Sequence, residues 1–232
     1  MRLDLEAARD ATIPDVLPAP SQPFHVLFTG INPGLYSAAT GWHFARPGNR
    51  FWPALYASGF TPRLLKPAEQ DELARHGLGI SNIAPRATAQ AAELTPAELR
   101  DGAARLLALV EDRRPRFVAI AGVTAYRIAF ARPKAAIGPQ PDPLGPARRW
   151  ILPNPSGLNA SWQPPRLAAA FRELKAAVDG AGTLALRGGG LPFRIKDAEY
   201  LIAKPAVPYA CAAALLTKDP VRREAPQTAG PA

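Results

Sequence analysis

The residues best suited to chemistry follow the first apolar run of the chain, where residues 30–34 read GINPG. Glycine lets a backbone approach a ligand closely and proline stiffens a turn, so Asn32 is predicted to be held rigidly at a strand end. A neutral carboxamide is too weak a base to remove a proton, but it can hold a water molecule in line with a reacting carbon. An ordinary turn between a strand and a helix is the alternative interpretation of GINPG by itself.

An aromatic and a titratable side chain lie just beyond this turn, at Phe44 and His43. The Phe44 ring could stack on a planar base, or it could belong to the core. His43 is a candidate contact to a base or a phosphate, although a single loop histidine is more often solvated. The three histidines and the one cysteine show no metal-ligand spacing, and no dinucleotide-binding or P-loop motif is present, so no metal or cofactor is expected.

A second unusual loop, NPSGL at 154–158, follows another apolar run. Ligands of parallel sheets bind beyond the carboxyl ends of the strands, so both loops are predicted to lie at one edge. Glu93 is a further polar candidate. It could orient a water molecule, or it could simply precede a helix that Thr95 is predicted to cap.

Short apolar runs alternate with stretches of helical spacing along the body of the chain. Strands are predicted within 24–30, 79–84, 117–122 and 147–157. Helices are predicted within 49–59, 66–77 and 164–178, from Thr95 and from Thr124. This order predicts an α/β fold, a three-layer α/β/α sandwich with a short, mainly parallel central sheet.

Three parts of the chain differ in character. Residues 1–23 are mixed and proline-rich and are predicted to form an N-terminal leader, while 24–179 form the catalytic domain. Residues 180–232 form a C-terminal extension, predicted to be partly flexible, with linker-like glycine runs and a possible hairpin.

The net charge of +9 attracts polyanions, of which nucleic acid is the commonest, although the arginine bias of a GC-rich genome would give the same excess. No apolar run approaches about 18 residues, so no membrane span is expected. The acidic N-terminus lacks the apolar segment of a secretory signal. A single cysteine fits a reducing cytoplasm, where the protein is expected, associated with the nucleoid if it is bacterial. A monomer is expected.

The two loops together point to a known family. The string GINPGLYSAATGWHFARPGNRFW (30–52), with NPSGL, resembles the mismatch-specific uracil-DNA glycosylase and thymine-DNA glycosylase family in order and spacing. The segments KPAE (66–69) and RAT (86–88) are also similar, and the resemblance spans roughly 24–179. It implies a monofunctional base-excision repair enzyme that flips uracil, preferably mispaired with guanine, out of double-stranded DNA and hydrolyses its N-glycosidic bond.

The resemblance also implies roles for the residues around GINPG. Asn32 positions the hydrolytic water, and Phe44 stacks on the flipped base. The backbone at Ile31 and Phe44 reads the edge of the base. Gly34 and Ser37 lie near C5 of the base and a DNA phosphate, where their small size leaves room for a 5-substituent.

The NPSGL loop is implied to enter the duplex. Leu158 fills the space of the flipped base, while Gly157 and Asn159 face the widowed guanine. Ser156 is assigned to DNA binding and Asn154 to substrate binding.

Four positions depart from the family pattern. Relatives carry a polar residue or an acid around Ala92, close relatives can carry lysine at Asn82, and members often have serine and a basic residue at Asn159 and Ala160. Two alternatives therefore stay open. One is an enzyme of the same superfamily that acts mainly on etheno-cytosine or 5-modified pyrimidines, and the other is a catalytically weak protein that binds DNA lesions.

Overall fold

The computed structural model describes residues 4–186, to which all structural statements refer. The strands are β1 (Val26–Gly30), β2 (Leu78–Asn82), β3 (Phe117–Ala121), β4 (Gly138–Pro139) and β5 (Arg148–Leu152). The α-helices are α1 (Leu35–Thr40), α2 (Phe51–Ala57), α3 (Pro96–Arg113), α4 (Val123–Ala129) and α5 (Pro164–Leu186). Short 3-10 helices span Glu6–Ala8, Pro67–His76 and Ala91–Glu93.

The strands form one sheet in the order β2-β1-β3-β5-β4. All pairs are parallel except β4 with β5, and Val26 in the centre pairs with Leu78 on one side and Phe117 on the other. Every residue of β1, β2 and β3 is buried, as expected for strands that are covered on both faces. The predicted short, mainly parallel sheet is confirmed.

Helices cover the two faces of the sheet and form two separate apolar layers. Phe28 of β1 packs with α2 and α5, where its ring meets those of Phe51 and Phe171. The neighbouring Leu27 points to the opposite layer, which α3 and α4 supply. Since alternate residues of a strand face opposite sides, this division confirms the three-layer α/β/α sandwich.

The predicted start of α3 is confirmed in atomic detail. The Glu98 N–H donates to Thr95 Oγ1 over 3.2 Å, and the Thr95 N–H donates to Glu98 Oε2 over 2.8 Å. This reciprocal pair satisfies donors that the first helical turn leaves open. Arg86 and this cap together lower the pKa of Glu98 to about 2.

The structure adds to the predicted elements at two places. Residues 35–40, predicted as part of a loop, form the short helix α1. Helix α5 runs beyond residue 179 to Leu186, so the GAGT run at 180–183 is helical. The rest of the extension, from residue 187, lies outside the described residues. Within the described range, no helix is long and apolar enough to cross a membrane.

The N-terminal segment also differs from a simple leader. Val16 is buried and pairs in antiparallel fashion with Ile80 of β2, with N···O distances of 2.9 and 2.8 Å. Ordered packing therefore begins before Phe24, because the open edge of β2 offers backbone partners that a local sequence pattern does not reveal.

Candidate active site

A cleft of about 620 Å³ lies at the carboxyl edge of the sheet. Each of the four parallel strands contributes to it: Asn32 follows β1, Asn82 ends β2, Ala121 ends β3 and Asn154 follows β5. The prediction that both loops meet at this edge is confirmed. A second cavity of about 580 Å³, lined by Tyr126 and residues 131–142, contains none of the predicted site residues.

The carboxamide of Asn32 is anchored through its nitrogen. Nδ2 lies 2.7 Å from Thr88 Oγ1, 2.9 Å from the Arg86 carbonyl oxygen and 3.1 Å from the Pro33 carbonyl oxygen. The Thr88 hydroxyl donates its own proton to the Gln90 carbonyl oxygen over 2.8 Å, so it must act as an acceptor towards Asn32. These acceptors fix which end of the carboxamide is nitrogen.

The carbonyl end of Asn32 is consequently free to act on a ligand. Among the described residues, none donates a hydrogen bond to Asn32 Oδ1, and Asn32 lines the cleft. A carboxamide oxygen accepts hydrogen bonds, so it can accept one from a water molecule. A lone pair of the water oxygen is then directed away from Asn32.

Phe44 is held with one ring face against the core. Its φ of 52° is a left-handed conformation that is strained for a bulky residue. The ring stacks on Phe51 at a centroid distance of 4.1 Å, and it also lines the cleft. The Phe44 N–H donates to none of the described residues, so it is available to a ligand. The two interpretations of Phe44 are compatible, since the ring belongs to the core on one side and to the cleft on the other.

Ser37 bonds to the backbone of the turn that carries Phe44. Ser37 is 5% exposed, and its hydroxyl accepts a hydrogen bond from the Ala45 N–H over 3.1 Å. Ser37 borders the cleft, as predicted, but its oxygen is used to position the residue after Phe44. The predicted phosphate contact is not supported, because so deeply buried a hydroxyl offers little surface to DNA.

His43 is buried, which corrects the expectation that a loop histidine is solvated. The side chain is 2% exposed, with Nε2 at 2.9 Å from the Pro14 carbonyl oxygen and Nδ1 at 3.3 Å from Asn82 Nδ2. Burial lowers the pKa of His43 below its ordinary value. The sequence could not indicate this, because Pro14 belongs to a segment that is distant in the chain.

Two glycines shape the cleft in different ways. A Cβ atom on Gly30 would lie 2.5 Å from Asn82 Oδ1 and 3.3 Å from Phe44 Cζ, so only glycine fits beside both groups. A Cβ atom on Gly34 would meet nothing within 4 Å. Gly34 also lines the cleft, and Ile31 lies beside it with its carbonyl oxygen bonded to the Ala84 N–H. The cleft therefore has open space near Gly34.

The second loop, residues 154–159, is called the wedge loop below. Leu158 is 75% exposed, the most exposed of the large apolar side chains described. Asn154 Oδ1 accepts from the Ser156 N–H over 3.0 Å, and Asn159 Nδ2 donates to the Asn154 carbonyl oxygen over 2.9 Å. These short-range bonds fold the loop so that its apolar tip points to solvent.

Arg50 was missed by the sequence analysis, although it holds the wedge loop. Nη1 donates to the carbonyl oxygens of Asn159 and Trp162 over 3.0 and 2.8 Å, and Nη2 donates to that of Gly157 over 3.1 Å. A Cβ atom on Gly157 would lie 2.5 Å from the Gly48 carbonyl oxygen. The GNR segment (48–50) thus packs directly on the wedge loop. The occurrence of GNR and NPSGL in the same chain was the sequence signal that could have indicated this contact.

Glu93 is the one predicted catalytic residue that the structure does not bring to the cleft. Oε1 accepts from the Gln90 N–H over 2.7 Å, and Oε2 pairs with Arg9 over 2.7 Å. The Gln90 bond first, and then Arg9, lower the pKa of Glu93. Its catalytic assignment is therefore corrected to a capping role, since Glu93 does not line the cleft and its carboxylate caps the turn at Gln90. Ala92 does line the cleft.

Other residues that the prediction missed reach the cleft from distant segments. Ile13 comes from the N-terminal segment, while Thr88 anchors Asn32. Arg46 also lines the cleft and adds a positive charge there. Arg166, which does not line the cleft, has its guanidinium carbon 4.1 Å from the centroid of the Trp162 ring beside the wedge loop. Among residues 4–186, no group of three or more His, Cys, Asp or Glu side chains could hold a metal ion.

A comparison with sequence models of protein families relates this chain to a known superfamily. The sequence model of the family described as the uracil DNA glycosylase superfamily matches residues 20–175. This range covers more than half of the chain and contains both loops of the cleft.

Proposed function

Because the chain belongs to the uracil DNA glycosylase superfamily, it is a DNA glycosylase of base-excision repair that acts on damaged bases, and we propose that its main substrate is uracil paired with guanine. The proposed enzyme is monofunctional, works as a monomer and acts in the cytoplasm. The observation that supports it best is the anchored carboxamide of Asn32 beside the Phe44 ring.

Asn32 is proposed to position the attacking water. The water oxygen forms a bond to C1′ of the sugar while the C1′–N1 bond breaks, and the electron pair of that bond leaves with the base. One proton of the water is held by Asn32 Oδ1 and passes to solvent as the bond forms. Geometry is the main contribution of a neutral carboxamide, since it fixes the water in line without removing the proton itself.

The departing base gains negative charge as the bond breaks. Donors that are already in place at that moment stabilise such charge without further rearrangement. The N–H of Phe44, which is unused within the described residues, is proposed to donate to an oxygen of the base. The ring of the same residue would stack on the flipped base.

Extrusion of the base from the duplex costs a few kcal/mol, and a mispaired base costs least. That difference supports preference for G·U over A·U. Leu158 is proposed to enter the stack and replace the lost contacts, a role that its exposed position supports.

Asn82 is proposed to recognise the edge of the base. It is buried at the end of β2, lines the cleft, and keeps Oδ1 free of hydrogen bonds from the described residues. Uracil presents an N3–H donor between two carbonyl groups, and a carboxamide oxygen is its complement.

Excision from labelled duplexes tests the proposal. Duplexes that contain G·U, A·U, G·T or G·etheno-cytosine are incubated with the protein, treated with alkali and resolved by strand length. We expect scission at uracil, fastest opposite guanine. An intact strand on all four substrates, with a known abasic duplex cut in parallel, would contradict any glycosylase activity.

The open space at Gly34 favours a second candidate, an enzyme that acts mainly on 5-modified pyrimidines. A 5-substituent would occupy this space without a clash. Faster excision of 5-modified uracil than of uracil, both opposite guanine, would establish this alternative in place of the first.

A further inference from the structure

We propose that His43 sets the base specificity of the cleft by fixing the orientation of the Asn82 carboxamide. This inference rests on the proposed function, because it concerns how Asn82 distinguishes uracil from cytosine. His43 acts here as a positioning residue, since its two ring nitrogens bond to the Pro14 carbonyl oxygen and to the Asn82 carboxamide.

The hydrogen bonds of His43 determine which of its nitrogens holds a proton. The Pro14 carbonyl oxygen can only accept, so Nε2, at 2.9 Å from it, must be the donor. In a neutral ring the other nitrogen, Nδ1, then presents a lone pair. Asn82 Nδ2 lies 3.3 Å from Nδ1 and can donate to it, whereas Oδ1 in the same place would be repelled.

The orientation of the carboxamide decides which atom of Asn82 faces a base in the cleft. With Nδ2 turned to His43, Oδ1 is the atom left for the cleft, where Gly30 leaves room for it. Uracil has a donor at N3 and an acceptor at C4, while cytosine has an acceptor at N3 and a donor at C4. One fixed carboxamide therefore fits only one of the two edges, and a reversed carboxamide fits the other.

Burial keeps His43 in the neutral form at neutral pH. Its pKa is lowered first by burial, while the Pro14 carbonyl and Asp15 act in the opposite direction. The other groups in contact with His43 are neutral: Asn82 from β2, Gln70 at its backbone N–H and Trp52 at its carbonyl. Asp15 is thus the charged group that acts on the ring, and it is itself paired with Arg105.

Protonation reverses the arrangement. Below its lowered pKa, His43 holds protons on both nitrogens, so Nδ1–H faces Asn82 Nδ2 and two donors oppose each other. The carboxamide then turns Oδ1 to His43 and presents its NH₂ group to the cleft. The expected consequence is a loss of preference for uracil as the pH falls.

The test uses two substrates that differ only in the recognised edge, 5-fluorouracil and 5-fluorocytosine, each opposite guanine. Single-turnover excision rates are measured at successively lower pH from pH 7 down to the lowest pH at which the protein stays folded, since the pKa of His43 lies below that of an ordinary histidine. For the full-length wild type we expect a high ratio of fluorouracil to fluorocytosine excision near pH 7 that falls as the pH is lowered. His43→Ala should lower the ratio at pH 7 by at least about tenfold.

His43→Gln is the conservative rescue. Its amide offers one donor and one acceptor, as the neutral ring does, but it does not titrate in this range. We expect it to keep the ratio at pH 7 and to remove its pH dependence. His25→Gln is the matched control, since His25 also has a pKa lowered by burial but lines a different cavity. It should behave as the wild type.

The outcomes distinguish failure of the inference about His43 from failure of the proposed function. A wild-type ratio in His43→Ala, or a pH-dependent ratio that persists in His43→Gln, would overturn the inference. The proposed function would still stand in either case if the wild type excises uracil from G·U. Failure of the folded wild type to excise uracil at all would overturn both. If His43→Ala does not fold, the pH profile of His43→Gln decides the question by itself.

Discussion

The two sides of the cleft are held in place by different means. On the GINPG side, the functional side chains are themselves bonded, with three acceptors around Asn32 Nδ2 and a buried histidine against Asn82. On the wedge side, Arg50 holds backbone carbonyl oxygens while Leu158 points freely to solvent. A polar group must have its own atoms oriented in order to work, whereas an apolar side chain that fills space needs only a fixed backbone.

Asn32→Ala should produce the largest effect and isolates the first side of this comparison. We expect the single-turnover rate on G·U to fall at least about 10²-fold, because the water loses its position. Affinity for the duplex should change little. The rate is measured by alkaline scission and affinity by fluorescence anisotropy, with Gln140→Ala, an amide outside the cleft, as control. A wild-type rate would refute the assignment of Asn32.

Arg50→Ala should affect the second side by releasing the wedge-loop backbone. Hydrogen bonds to a charged group contribute about 1.5–3 kcal/mol each, so we expect capture of the flipped base to weaken by about tenfold or more. Arg50→Lys keeps the charge but cannot bridge three carbonyl oxygens, and it should weaken capture nearly as much. Affinity for a duplex with a non-cleavable uridine analogue measures the effect. Full capture by the lysine variant would assign Arg50 to charge alone.

Leu158→Ala tests whether the tip of the wedge acts only on DNA. We expect capture of the flipped base to weaken by about tenfold, since an inserted side chain replaces a few kcal/mol of lost stacking. The free energy of unfolding should stay at its wild-type value, because the side chain is 75% exposed. Denaturant titration and analogue binding together check this, and a destabilised Leu158→Ala protein would show that the side chain has a packing role.

Thr88→Val should give the smallest effect. It tests how much one hydrogen bond to Asn32 contributes on the GINPG side of the cleft. It removes one of the three acceptors of Asn32 Nδ2 while keeping the shape of the side chain. A typical hydrogen bond contributes about 0.5–1.5 kcal/mol, so we expect the excision rate to fall by about threefold to tenfold. Thr40→Val, in which the lost hydroxyl bonds to the α1 backbone, is the matched control. A larger loss than in Asn32→Ala would contradict the order of these effects.

Much of the fold followed from local patterns. The strands β1, β2 and β3 are short, mostly apolar runs, and the capping pair of Thr95 and Glu98 has the three-residue spacing of a capping box, so sequence alone indicated them. Helix α1 was missed because its six residues, LYSAAT, are too few to show an amphipathic period.

The site was predictable in its location but not in its internal bonds. Alternation of strands and helices placed both loops at one sheet edge. The burial of His43 depends on Pro14, and the support of Asn32 depends on Arg86 and Thr88, all of which are remote in sequence. Glu93 shows the opposite error. The polar residue or acid that relatives carry around this position suggested chemistry, whereas the Glu93 carboxylate bonds to Arg9 and Gln90 outside the cleft.

The segment that pairs Val16 with Ile80 protects a sheet edge and also contacts the histidine that we propose orients Asn82. β2 is the outermost strand on its side of the sheet, and an unpaired edge of this kind can join to another chain and start aggregation. The same short segment that shields this edge supplies the Pro14 carbonyl to His43. The family match begins only at residue 20. A shortened protein that keeps every matched residue would therefore lose both the pairing of Val16 and the contact of Pro14 with His43.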